Sequence, residues 1–215
     1  MIRWLAFSAL LLVAPVAAAA QSLEDYDYEE LSFRGASLDI GYAVPDKVEP
    51  TRVYTVRVDL GYVGPYVRVM PAFSYWSSGF RDRELTRLAT RLGELGADVS
   101  AEDLGPIDWR SYALALDGQA AWVTPIGAIP YFGAGVGLNV LDGRGPAVED
   151  TFIEDLLDTV TASVSTGVGL DWIFPAGFRF YGEARYTLMS DVRYWSVHAG
   201  GGFVLPWRLS AEEVR

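Results

Sequence analysis

His198 is the only histidine in this chain of 215 residues, and Ser196 stands two positions before it. A serine and a histidine within reach of one another are the raw material of a nucleophile and its base. In an extended strand residues i and i+2 share a face. That spacing does not by itself set an Oγ against a ring nitrogen, and the neighbouring sequence offers no third group to orient the imidazole, so an ordinary interior histidine is expected. With one histidine and no cysteine, neither a zinc site nor a disulfide nor a lipoprotein thiol is expected.

Two further patterns hint at ligands and fail on spacing. Gly133, Gly135 and Gly137 alternate in "PYFGAGVGLNV", but the third glycine of a dinucleotide loop would fall at Leu138 and no helix follows. Asp142, Glu149, Asp150, Glu154, Asp155 and Asp158 crowd one segment without the spacing of a calcium loop, so they read as a solvated charged face. No cofactor and no metal are expected. What remains is a scattered set of charges, Asp39, Arg57, Asp59, Arg68, Asp117, Asp171, Arg179, Glu183 and Arg185, whose meaning depends on the elements that carry them.

Those elements are strands. Eight segments alternate with period two. Leu38, Ile40 and Tyr42 alternate with Ser37, Asp39 and Gly41. Tyr54, Val56 and Val58 are set against Thr55, Arg57 and Asp59, and Val67, Val69, Phe73 and Tyr75 against Arg68, Met70 and Ser74. Further along, Tyr112, Leu114 and Leu116 oppose Ser111, Ala113 and Asp117, and the glycines from Gly133 to Gly137 oppose Phe132, Ala134, Val136 and Leu138. Val164, Val168 and Leu170 oppose Ser163, Gly169 and Asp171; Phe178, Phe180 and Ala184 oppose Arg179, Glu183 and Arg185; Trp195 and Val197 oppose Ser196 and His198. Pro71 lies inside the third segment and predicts a bulge there, since it has no N–H for the ladder.

Tight turns "VGP", "TPIG" and "FPAG" alternate with longer connections, of which Gly79–Ile107 and Asp142–Asp158 are the longest. That is an up-and-down meander. In the first insertion Leu85, Leu88, Leu92 and Leu95 form one stripe and predict an amphipathic helix; "EDTFIEDLLD", residues 149–158, predicts a second. The uncharged run Gly118–Leu141 is long enough for a membrane helix. Pro125, Pro130 and its glycines break that helix, leaving two strands joined at "TPIGAIP".

A soluble sheet buries its apolar face and shows water the polar one, whereas a membrane barrel does the reverse. The polar face here carries four arginines and five carboxylates among small residues and no lysine. Paired guanidinium and carboxylate groups suit a closed interior better than a solvated exterior. The tryptophans point the same way. Trp76, Trp109 and Trp195 lie beside the long connections and Trp122, Trp172 and Trp207 at the opposite ends, predicting two interfacial girdles. A narrow barrel of this kind has room only for packed side chains, so the glycine row is expected to leave space for arginines reaching across.

Arg3, the apolar run Trp4–Val16 and the small residues Ala18 and Ala20 predict a secretory signal peptide over residues 1–20, with an acidic leader over 21–32. Removal of Arg3 with that segment leaves 16 basic against 28 acidic residues, a net charge of −12. So acidic a chain is not a nucleic-acid binder.

With its signal peptide, eight amphipathic strands, Trp and Tyr rims and the closing strand "YWSVHAGGGFVLPW", the chain resembles the small outer-membrane β-barrels of Gram-negative bacteria, the group of the OmpA transmembrane domain and the opacity and OmpW-like proteins. The likeness spans about residues 33–207. It implies an eight-stranded antiparallel all-β barrel in the outer membrane, assembled by the barrel-assembly machinery and in contact with lipid and lipopolysaccharide; the oligomeric state is left open, with a monomer favoured over an assembly. Such barrels end on an aromatic residue that the machinery reads; here a charged tail, residues 208–215, follows Trp207. The resemblance implies a structural or interaction role without catalysis. A narrow porin-like channel or carrier for small or hydrophobic molecules is the alternative, and a lipid A hydrolase using Ser196 and His198 a further one.

Overall fold

A computed structural model describes residues 31–64, 67–94, 100–146, 157–190 and 192–205. The expected signal peptide, most of the acidic leader and of the second helix, Trp207 and the charged tail lie outside these residues. Eight strands follow one another as β1 (Gly35–Pro45), β2 (Thr51–Asp59), β3 (Val67–Gly79), β4 (Asp108–Ala121), β5 (Ala128–Arg144), β6 (Thr159–Ile173), β7 (Phe178–Met189) and β8 (Arg193–Val204). Each pairs antiparallel with the next, and β1 pairs with β8 along Gly35–Pro45, so the sheet closes and has no free edge.

The alternation dictates which side is which. Along β1 burial switches residue by residue, with Ser37, Asp39 and Gly41 inside and Leu38, Ile40 and Tyr42 outside. Leu38, Leu114, Val136 and Val197 are each more than 60% exposed, while Arg57, Arg68, Asp117 and Asp171 are 2% exposed or less. A surface so apolar, wrapped round a charged interior, is stable only where lipid rather than water lies outside. Among the described residues no helix is long and apolar enough to cross a membrane; the strands make the crossing.

The bulge expected at Pro71 falls instead on the partner strand. β3 runs unbroken through Pro71. Between Arg57↔Ala72 and Tyr62↔Arg68, however, β2 advances five residues while β3 advances four. The extra residue sits at Leu60–Gly61, with Gly61 at φ 88°, and the two-residue strand Tyr62–Val63 then resumes the line of β2. A missing donor on one strand is thus accommodated by a break in its neighbour.

One end of the barrel carries short turns and the other carries helices. α1 (Asp82–Glu94) buries Leu88, Ala89 and Leu92, in agreement with the leucine stripe, and packs with Leu104, Ile107 and Leu157. A second short helix, α2 (Ala101–Leu104), starts at a capping box in which the Ser100 hydroxyl accepts from the Asp103 amide and the Asp103 carboxylate accepts from the Ser100 amide. The Ser100 hydroxyl also donates to the Asp103 carboxylate, and that bond together with the one from the Ser100 amide holds the carboxyl below its ordinary pKa.

Candidate functional site

The lumen holds the chemistry, in layers. At the helical end Trp76, Leu141, Val48, Tyr194 and neighbouring apolar side chains form a cap. Beneath it lies a cavity of about 40 Å³ lined by Thr55, Ser74, Asn139, Ser163, Ser196 and His198 among others. That is space for a few water molecules and nothing larger. A belt of ion pairs follows, and Ala121, Ile129, Tyr131, Ile173 and Val204 form an apolar floor at the short-turn end.

All nine charged residues named from the sequence lie inside, and they form two groups. In the first, Arg57 on β2 donates to Asp39 (3.0 Å) and grips Glu183 at two points (2.7 and 3.1 Å). Arg185 donates to Glu183 at 2.6 Å and to both oxygens of Asp117 at 3.0 and 2.6 Å. In the second, Arg68 and Arg179 converge on one oxygen of Asp171, at 2.7 and 2.6 Å, and Arg179 lies 3.5 Å from Asp59. Tyrosines that sequence reading left out join the groups. Tyr131 donates its hydroxyl to Glu183 (2.8 Å) while its ring lies under the Arg68 guanidinium. Tyr181 donates to Asp39 (2.6 Å) with both Arg57 and Arg179 over its ring. Buried charges demand this density of partners, because each unpaired ion in so dry a space costs several kcal/mol.

Inner-face glycines supply the room. Gly135 stands opposite Asp117, and a Cβ there would collide with the Asp117 carboxylate. Gly41 stands opposite His198 and leaves the space that its ring fills, and Gly200 does the same for Asp39 and Tyr181. The glycines therefore make space chiefly for carboxylates and rings of adjacent strands, not for the arginines themselves.

The Ser196–His198 expectation is overturned on both counts. The His198 Nε2 stands 2.8 Å from Ser196 Oγ, and a third group is present: Asp39, 159 positions away, with Oδ1 at 2.7 Å from Nδ1. A carboxylate only accepts, so Nδ1–H donates to Asp39; whenever the ring carries that single proton, Nε2 is left to accept the serine hydroxyl. This is the order of groups in a serine hydrolase. Its setting is not. Ser196 is 2% exposed beneath the cap, and Asp39 is shared with Arg57 and Tyr181. The ladder on both sides of β8 also occupies the backbone amides that would form an oxyanion hole.

The girdle is corrected as well. Trp122, Trp172 and Trp195 are 52%, 42% and 63% exposed on the outer surface, but Trp76 and Trp109 are 1% and 4% exposed. Both occupy the inward parity of their strands, Trp76 between Tyr75 and Ser77 and Trp109 two before Ser111. Trp76 plugs the lumen, and Trp109 stacks on Phe80 at 5.1 Å and donates to the Leu157 carbonyl. The aromatic rim at the helical end is made instead by Tyr42, Tyr54, Tyr75, Tyr112, Tyr186 and Trp195.

No family model and no curated protein matches this chain. Among solved structures it is similar to neisserial surface protein A, with a TM-score of 0.53 and 13% identity over 80% of this chain and 96% of that one. The N-terminal barrel domain of OprF from Pseudomonas aeruginosa gives 0.48 and 14%, covering 80% and 98%. Ail of Yersinia pestis, solved with the heparin analogue sucrose octasulfate, gives 0.47 and 12%, covering 80% and 97%. The first of these supports the assignment that the closure and the inverted faces require: the chain has the fold of the small eight-stranded outer-membrane β-barrels.

Proposed function

We propose that this protein is a closed, non-catalytic barrel of the outer membrane, whose role is structural or is to present its helical end to partners outside the cell. The observation that carries this reading is the layered filling of the lumen. Cap, ion-pair belt and floor succeed one another, so a conduction path needs several buried groups to move together. The narrow channel is the weaker reading for that reason. The hydrolase is weaker because its serine faces a cavity of about 40 Å³ under an apolar cap.

The experiment joins two measurements. In planar bilayers the refolded protein is expected to show no stable conductance; discrete channels in most insertions would overturn the closed-barrel reading. Because the chain has no cysteine, Thr90→Cys on the exposed face of α1 gives a single labelling site. A membrane-impermeant maleimide is expected to label it on intact cells. Protection until the envelope is opened would place the helical end inside.

A further inference from the structure

Three rows of side chains cross β2, β3 and β4 on the lipid-facing surface, and they change character toward the helical end. Val56, Phe73 and Leu114 are paired across the strands as the apolar row. One step along, Tyr54 pairs with Tyr75 and Tyr75 with Tyr112, the last two rings 5.1 Å apart. One step further the register carries Arg52 next to Ser77, where the Thr51 hydroxyl donates to the Ser77 carbonyl, and Ser77 pairs with Arg110. Hydrocarbon, interface and headgroup levels of a leaflet follow in that order.

The two arginines differ from the rest of that rim. Arg193 is paired with Asp46 and Arg144 with Asp142. Arg52 and Arg110 make no ion pair among the described residues. Asp142 stands opposite Arg110 in the ladder, but its carboxylate is held by Arg144 at 3.0 and 3.2 Å. Two guanidiniums two strand spacings apart, roughly 10 Å between their backbones, can converge over Ser77 on one tetrahedral anion. Arginine is the side chain suited to it, because its planar fork matches phosphate oxygens at two points.

We infer that Arg52, Ser77 and Arg110 form a binding site for the phosphate of an outer-leaflet glycolipid headgroup, with the Tyr54–Tyr75–Tyr112 row as the platform beneath the sugar. This rests on the orientation proposed above, and it names where the barrel grips its membrane.

The test uses the whole protein in phosphatidylcholine nanodiscs, with bis-phosphorylated lipid A titrated against the same lipid stripped of phosphate. Arg52→Gln and Arg110→Gln are each expected to weaken binding of the phosphorylated form by about tenfold or more, the loss of one charge-assisted contact. The dephosphorylated form should bind weakly and equally to all variants. Arg87→Gln on α1 is expected to bind like the parent. Equal binding of the two lipids, or binding indifferent to both arginines in variants that keep the heat-resistant gel shift of the parent, would overturn the inference. The maleimide experiment fails or succeeds independently, so a wrong orientation and a wrong site are told apart.

Discussion

Arg57 and Glu183 sit 126 positions apart in the chain and three strands apart around the barrel, yet their side chains meet across the lumen at two points, 2.7 and 3.1 Å. The same carboxylate takes Arg185 and the Tyr131 hydroxyl. Removing it takes one carboxylate from each of two buried guanidiniums, leaving Arg57 only Asp39 and Arg185 only Asp117. Glu183→Ala is expected to lower unfolding stability by about 3–5 kcal/mol, read as the drop in urea midpoint of the gel-mobility shift. A loss below about 1 kcal/mol would mean that the belt is hydrated and loose.

Gly135 tests the packing role of the glycine row. Gly135→Val puts a branched side chain where the Asp117 carboxylate lies. Strand propensity alone predicts a gain; the crowding predicts a loss of about 1–3 kcal/mol. Ala134→Val, one residue away on the lipid face, is expected to be neutral within about 0.5 kcal/mol. A similar effect of both would remove the packing account.

The serine of the lumen relay should be chemically silent. A fluorophosphonate probe is expected to leave the folded protein unlabelled, since Ser196 is buried beneath the apolar cap. Labelling that disappears in Ser196→Ala would reinstate the hydrolase. His198→Ala is expected to destabilise by about 1–3 kcal/mol, because it leaves an Asp39 oxygen without a donor in a dry site.

Tryptophan quenching by brominated lipid chains distinguishes cap from girdle. Single-tryptophan variants retaining Trp122, Trp172 or Trp195 are expected to be quenched strongly, and those retaining Trp76 or Trp109 weakly. Trp76→Ala should cost about 3–5 kcal/mol as a core truncation and is the substitution expected to raise conductance. Trp195→Ala should do neither.

Much of this molecule was legible in its period-two pattern. Eight alternating segments became eight strands, and the face with four arginines, five carboxylates and no lysine became the interior. The leucine stripe became α1. The errors have identifiable causes. Position along the strand puts Trp76 and Trp109 at a rim, whereas the alternation that puts Tyr75 and Tyr112 outside assigns both tryptophans to the inner face. Pro71 marks a missing donor on its own strand, but the residue that yields is on the strand facing it. The signal for α2 is the capping-box pattern "SAED", which is short and has no apolar periodicity behind it.

Alternation and composition belong to the sequence because each strand residue faces inward or outward whatever its neighbours are; the membrane reading, the strand count and the set of interior charges follow from that. Partnership does not. Asp39 meets His198, and Arg57 meets Glu183, only when β1 closes on β8, and the register of that closure decides which inward side chains share a level. A shift of two residues would keep every face and lose the Ser196–His198–Asp39 relay, the clearance that Gly135 gives Asp117, and the Arg52–Ser77–Arg110 row. Those were settled by the tertiary structure, because ladder register is a property of strand pairs and not of any single strand.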